Sequence, residues 1–303
     1  MDITLETIIS GKKLGNPLMN ASGILGDTPD AIRLLSSMGF GCIVTKTLTI
    51  RPREGYRPLI IVPLDYGLIN AVGLANPGIR IGAELVLAAR NNGIPIALSI
   101  GGKTSKEFIE LATIAMEYDP DFIELNLSCP HTPGYGIDAA KTVEAIKDIV
   151  CSVASIASIP IWAKLSFSHN LVSEAEAALS CGASTIVLIN TIPAMVIDPY
   201  IKMPILSNKW GGLSGPAIHP IAVYSVYRVY EELNAEIIGV GGAETWRDVI
   251  EFILAGASAV QIGTGLIRKG HNIVREIIHG IKSYMREIGA RSIHELIGIA
   301  HKK

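Results

Sequence analysis

An α/β fold of the (β/α)8 TIM-barrel class, with inserted loops at its C-terminal face, is what three observations predict for this chain. Eight short apolar runs recur along its 303 residues. Segments of helical period lie between most of them. No linker or shift in composition divides the chain, so residues 1–303 read as one domain. Continuous apolar strands separated by helices indicate a parallel sheet buried on both faces, and eight of them in a chain of this length suggest a closed barrel rather than an open sheet.

The runs, in order, are PLMNAS (17–22), CIVTKT (42–47), PIALSI (95–100), FIELNL (122–127), PIWAKL (160–165), TIVLIN (185–190), EIIGVG (236–241) and AVQIG (259–263). Helical periodicity is clear over Thr104–Tyr118, Ala139–Ala157, Leu171–Cys181, Pro220–Leu233 and Thr245–Ala255. Asn272–Ile288 and Ser292–His301 are expected to be the helices that close the barrel. Two stretches break the alternation. Residues 50–80, rich in Pro, Gly and Arg, separate the second strand from its helix, and residues 191–219 do the same after the sixth.

Composition narrows the function. The chain is 49 % hydrophobic and 18 % charged, with a net charge of −2 and an isoelectric point of about 6.4. It has no long Lys/Arg run, which argues against nucleic acid or a membrane surface as partner. The start, MDITLETIISGKKLGNP, holds no apolar stretch long enough for a signal peptide or a membrane span, so a cytoplasmic location is expected. Four cysteines without a CxxC pair argue against a zinc ribbon, an iron–sulfur site or a disulfide framework. Cys42, Cys151 and Cys181 read as buried thiols, and no metal site is expected. Gln261, the only glutamine, leans toward a heat-adapted source.

The strand ends carry the chemistry. They are Ser22, Lys46, Ser99, Asn126, Lys164, Asn190, Gly241 and Gly263, and in a barrel they converge on one face. Any one polar strand end is ordinarily just where a loop begins. Two lysines in apolar strands are harder to dismiss, because a buried ammonium needs an anionic partner. The glycine ends, GVGGAETW (239–246) and QIGTGL (261–266), each run from strand through glycines to a helix start, a phosphate-binding arrangement after strands seven and eight. No GxGxxG follows a strand, so flavin mononucleotide fits better than a dinucleotide.

The fourth strand delivers Cys129 onto a turn in DFIELNLSCPHTPGYG (121–136). A thiolate there is a base or nucleophile if cations lower its pKa, and Lys46 and Lys164 are the candidates. His131 is too close in sequence to activate the thiol and reads as a ligand contact or a solvated loop residue. The remaining histidines read as structural.

ELNLSCP with its Gly/Pro loop resembles the catalytic loop of class 1 dihydroorotate dehydrogenases. Further signatures follow in order: ASG (21–23), TKT (45–47), NAVGLANPG (70–78), AKLS (163–166), INT (189–191), GGLSGPAI (211–218), GVGG (239–242) and QIGTGL (261–266). NAVGLANPG, INT and GGLSGPA look most like the NAD-linked class 1B branch, whose FMN-bearing catalytic subunit docks a separate FAD/[2Fe–2S] subunit. The resemblance implies oxidation of dihydroorotate to orotate in pyrimidine biosynthesis, in a homodimer or heterotetramer. It makes Cys129 the base at C5 and places the catalytic Lys46 between flavin and substrate carboxylate. Asn70, Gly73 and Leu74 would hold the pyrimidine and its carboxylate, Asn126, Asn190 and Thr191 the ring amides, and His131 a further substrate contact. Ala21, Ser22, Thr47, Ser99 and Ile189 would line the flavin, with Asn126 beside it and Lys164 at its N1/O2 edge. Gly215, Gly241, Gly242, Gly263 and Thr264 would hold the phosphate.

The chain departs from the family in three places. His131 replaces the usual Asn, KLSFSHN (164–170) replaces KLSPN, and Trp210 stands where class 1B usually has Thr. Cys-Pro-His also occurs in the pyrimidine-reducing domain of dihydropyrimidine dehydrogenase. A flavin enzyme acting on dihydrouracil or dihydrothymine is therefore the first alternative. A Schiff-base aldolase using Lys164 is the second.

Overall fold

The computed structural model describes residues 3–128 and 134–302. Its centre is a ring of eight parallel strands: β1 (Leu18–Asn20), β2 (Ile43–Val44), β3 (Ile96–Ile100), β4 (Phe122–Asn126), β5 (Ile161–Leu165), β6 (Thr185–Leu188), β7 (Ile237–Val240) and β8 (Ala257–Ile262). Each pairs with its neighbour in sequence and β8 returns to β1. A parallel bridge between Met19 and Cys42 joins β1 to β2 and completes the ring. Seven of the expected runs contain their strands, and the eighth, AVQIG, overlaps β8, which begins two residues earlier at Ala257. FIELN and IWAKL are buried at every position, as a sheet covered on both faces requires.

Helices α1 (Pro29–Met38), α2 (Gly82–Asn91), α3 (Ser105–Glu117), α4 (Val143–Ala154), α5 (Leu171–Ser180), α6 (His219–Leu233), α7 (Trp246–Leu254), α8 (Thr264–Lys269) and α9 (Ile273–Ile288) complete the fold. Their starts follow from side-chain caps. Thr28, Thr104, Thr142 and Thr245 each accept a backbone N–H of the first turn, and Thr142 is why α4 begins after the expected Ala139. Ser292–His301 is not the expected helix. It forms two 3-10 turns, Ile293–Leu296 and Ile299–His301, because Ile297 is extended and Gly298 adopts a left-handed φ of 69°.

The two inserted stretches meet. Strands Ile61–Leu64 and Gly67–Asn70 form a hairpin, Gly211–Ser214 pairs with its second arm, and Ile192–Ala194 adds a fourth strand. This antiparallel sheet stands over the C-terminal mouth of the barrel. At the other end a hairpin, Thr7–Ile9 with Lys12–Leu14, seats Ile9 and Leu14 in the same buried cluster as Met19, Phe122 and Trp162. Its turn is held by Trp162 Nε1, which donates to Ser10 Oγ at 3.0 Å.

The cysteine reading needs correcting. Cys42 is buried, but Cys151 and Cys181 are joined by a disulfide. They lie on α4 and directly after α5, adjacent helices on the outside of the barrel, with Cα atoms 4.5 Å apart. A spacing of one strand–helix unit conceals such a pair in the sequence. The bridge closes a loop spanning 30 residues, worth about 3–4 kcal/mol in the chain-entropy account. Reduction, or Cys181→Ser, should lower the unfolding free energy by that order. Equal denaturation midpoints with and without reductant would contradict it.

Candidate active site

Alternate residues of each strand point into the barrel. The lowest inward layer is apolar, with Met19, Ala97, Phe122, Trp162, Val187, Ile238 and Ala259 in one buried cluster. Phe122 and Trp162 stack there with ring centroids 4.4 Å apart. Two residues further along the strands stand Ser99, Glu124, Lys164 and Gln261, all buried. Lys164 Nζ donates to Ser22 Oγ and to Gln261 Oε1, both at 3.0 Å, and lies 3.9 Å from Glu124 Oε1. Burial pulls the Lys164 ammonium below the ordinary lysine range, and Glu124 opposes that pull.

Above this layer opens a cavity of about 560 Å³, within the range of small-molecule sites. Most of the expected site residues line it. Ala21 and Ser22 come from the end of β1, Lys46 and Thr47 follow β2, Asn126 ends β4 and Lys164 rises from β5. Ile189, Asn190 and Thr191 follow β6, and the two inserted stretches add Asn70, Leu74 and Gly215. Gly241, Gly242, Gly263 and Thr264 also line the cavity, with Gly242 and Thr264 packed against Gly215. Ser99 does not line the cavity. It is fully buried one layer below, where its hydroxyl donates to Glu124 Oε1 at 3.0 Å. Gly73 is also absent from the lining. A Cβ there would meet the Tyr56 nitrogen at 2.8 Å, so the residue serves the turn that presents Leu74. Cys129 and His131 lie outside the described residues.

The asparagines are oriented by their neighbours. Asn126 Nδ2 donates to Thr47 Oγ1 at 2.8 Å, and its Oδ1 accepts from the Ser128 hydroxyl at 3.1 Å. That hydroxyl accepts from Asn190 Nδ2 at 2.9 Å. Asn76 builds the NAVGLANPG turn. Its Nδ2 donates to Leu74 O at 2.7 Å, while its Oδ1 accepts from Gly78 N at 2.8 Å. Leu74 is thereby held at a left-handed φ of 55°. Arg53 Nε donates to Gly73 O at 3.3 Å from outside the turn. Lys46 Nζ donates to Asp27 Oδ2 at 3.3 Å, and both side chains retain solvent contact.

At the glycine end, Gly215 has φ 94° and Gly242 has φ 77°. A Cβ on Gly242 would lie 2.6 Å from Gly215 O, so two backbones approach there as only glycines permit. Thr264 Oγ1 donates to Ser214 Oγ at 2.7 Å, and His219 Nδ1 lies 3.0 Å from Gly241 O. One part of the phosphate expectation changes. Helix α7 begins only at Trp246, and Asp248 accepts from the N–H groups of Glu244 and Thr245. The Gly241–Gly242 turn itself, not that helix start, faces the cavity. Glycine turns with a threonine hydroxyl, and a buried lysine in the lining of the same cavity, fit a phosphate-bearing flavin, which has an anionic group at one end and a ring edge that gains negative charge at the other.

Residues 4–285 match the dihydroorotate dehydrogenase family. The chain belongs to that family. Among its relatives is a Pyrococcus abyssi protein named dihydroorotate dehydrogenase B (NAD(+)), catalytic subunit, 44 % identical over 98 % of this chain and 99 % of the other. A Thermoplasma volcanium protein of the same name is 43 % identical over 99 % of each chain. An Aeropyrum pernix protein, provisionally named dihydroorotate dehydrogenase A (fumarate), is 44 % identical over 98 % of each. The crystal structure of DHODH from Eimeria tenella in complex with ferulenol superposes with a TM-score of 0.84 at 22 % identity, covering 99 % of this chain and 89 % of that one, a likeness of fold.

For a dihydroorotate dehydrogenase family member, five site-building residues escaped the sequence reading: Asp27, Asn76, Glu124, Ser128 and Gln261. Glu124 had a signal. It is an acid inside an apolar run, in a chain whose lysines within apolar runs call for an anion.

Proposed function

We propose that this protein is a dihydroorotate dehydrogenase that oxidises dihydroorotate to orotate in pyrimidine biosynthesis, with FMN as its redox group. One observation carries the reading. A single cavity is lined by an ammonium and amides suited to a pyrimidine carboxylate, Lys46, Asn70, Asn126 and Asn190, and by glycine turns suited to a phosphate, Gly215 and Gly242. Asn70, Lys46 and the backbone at Gly73–Leu74 hold the carboxylate. Asn126, Asn190 and Thr191 pair with the ring amides, where a fixed amide can both donate and accept. The Cys129 thiolate takes the proton from C5 as the C5–C6 double bond forms. Bound FMN would supply the hydride acceptor for the hydrogen that leaves C6. Gly215, Gly242 and Thr264 bind its phosphate, Ala21, Ser22, Thr47 and Ile189 line its ring, and Lys164 holds a positive charge where negative charge develops.

The test is turnover. Protein reconstituted with FMN and given an artificial electron acceptor should form orotate, read by its absorbance, and absence of orotate would defeat the proposal. Lys46→Ala should raise KM for dihydroorotate roughly tenfold or more, as loss of a charged contact does. An unchanged KM with unchanged kcat would remove Lys46 from the site.

We infer that a second chain carries the electrons onward to NAD. The relatives named as catalytic subunits support this, and so does the cysteine count. With Cys151 and Cys181 joined and Cys42 buried, this chain lacks four thiolates for an iron–sulfur cluster. Exposed Ile197, Tyr200, Ile201 and Met203 on the insertion after β6 form an apolar surface of the kind partners cover. Direct reduction of fumarate by the isolated protein would contradict this route.

A further inference from the structure

Beneath the cavity floor lies a carboxylate that no step above uses. Glu124 is fully buried. Its Oε2 accepts from Gln261 Nε2 at 2.8 Å, and its Oε1 accepts from Ser99 Oγ at 3.0 Å. On one side the chain continues through Gln261 Oε1 to Lys164 Nζ at 3.0 Å. On the other, Ser99 Oγ has donated its single proton and can only accept from Thr47 Oγ1, 3.0 Å away. Thr47 in turn accepts from Asn126 Nδ2 at 2.8 Å. Both arms begin at groups that line the cavity and end on one carboxylate.

The energetics give that arrangement a purpose. An ammonium in a buried layer is retained only if an anion compensates it, and removing one partner of a buried pair leaves an uncompensated charge. Ser22 and Gln261 offer Lys164 neutral acceptors. Among the described residues Glu124 is the negative charge paired with it. The amide of Gln261, donating to the carboxylate and accepting from the lysine, spans a gap of 3.9 Å that the two charges do not close directly.

We propose that Glu124 is a positioning residue for the redox half-reaction. Through Gln261 it holds Lys164 as a cation at the cavity floor, and through Ser99 and Thr47 it fixes which edge of the Asn126 amide meets the ligands. This rests on the reading above that Lys164 stands at the flavin edge. Without the carboxylate, the buried Lys164 gives up its proton to solvent and stays neutral, and the charge that favours electron acceptance is lost.

The experiment compares the FMN holoprotein with Glu124→Gln, Lys164→Met and the double variant, reading the reduction potential of bound FMN at neutral pH and the rate of its reduction by dihydroorotate. Both single variants should lower the potential. Glu124→Gln should show most of the Lys164→Met shift, and the double variant should go no further than Lys164→Met. The reduction rate of Glu124→Gln should fall roughly tenfold to a hundredfold. A Glu124→Gln potential that is unchanged, raised as loss of a bare negative charge would raise it, or additive with Lys164→Met would overturn the inference. Lys164→Met at the wild-type potential would overturn it too, by removing Lys164 from the flavin edge. A wild-type protein that takes up no FMN would defeat the proposed function itself and this inference with it. If Glu124→Gln does not fold but the double variant does, removing the lysine has relieved an uncompensated buried charge, and the pairing of Glu124 with a cationic Lys164 is upheld. If both fail while Lys164→Met folds, Glu124 is architectural and the inference falls.

Discussion

Replacing Cys129 with alanine should leave FMN bound and lower dihydroorotate turnover by roughly two to four orders of magnitude, the contribution typical of a positioned base. The C5 proton is weakly acidic, so its removal without an aligned acceptor limits the half-reaction. FMN binding should survive because the residues proposed to hold it come from other strand ends, namely Gly215, Gly242, Thr264 and Lys164. Cys129→Ser should fall between, with activity rising toward high pH, since a hydroxyl is a weaker acid than a thiol and acts as a base only once deprotonated. Rapid flavin reduction in Cys129→Ala at neutral pH would remove the thiol as base. Loss of FMN from that variant would mean that the thiol builds the cofactor site instead.

Gly242→Val should cost the protein its FMN. Gly242 sits at φ 77°, where a β-branched residue is strained, and its Cβ would lie 2.6 Å from Gly215 O and 2.8 Å from His219 Cβ. Neither neighbour is the free end of a flexible side chain, so the turn must open. Strain of this kind costs about 1–3 kcal/mol before the clash is added, so FMN affinity should fall roughly tenfold to a hundredfold or more. Gly270→Ala is the control. It has the same φ of 77° with nothing within 4 Å of its Cβ, so it carries backbone strain without closing the cavity. Quenching of FMN fluorescence measures both. Equal affinities for Gly242→Val and wild type would take the glycine turn out of the phosphate site.

The barrel was legible because each strand is buried on both faces, and such strands read as unbroken apolar runs in any context. Helix limits were legible to within a residue at the threonine caps Thr104 and Thr245, but not at Thr142, where α4 begins four residues after the expected Ala139. Gly298 marked the failure at the C-terminus. A glycine in a helical pattern can be tolerated or can end it, and only the left-handed φ decides. The strand-end residues were legible because a closed barrel brings every strand end to one mouth. What supports them was not. Ser128 and Gln261 act through contacts to residues far along the chain, Asn190 and Glu124, and a single sequence carries no sign of those contacts. Ser99 was misplaced by one layer for a related reason. Its strand alternation was right, but Ser99 shares an inward layer with Lys164, and only the long lysine side chain reaches the cavity while the serine hydroxyl ends on Glu124. The Cys151–Cys181 bridge needed the positions of α4 and α5 around the ring.

The measurement that tests the central claim most directly is an anaerobic titration of the oxidised, FMN-loaded protein, with dihydroorotate in one sample and dihydrouracil in another, following flavin absorbance. Bleaching by dihydroorotate alone is the expected result, because Lys46 and Asn70 line the cavity as partners for a carboxylate that dihydrouracil lacks. Bleaching by dihydrouracil and not by dihydroorotate would contradict the account and make His131, in place of the usual asparagine, the sign of a changed substrate.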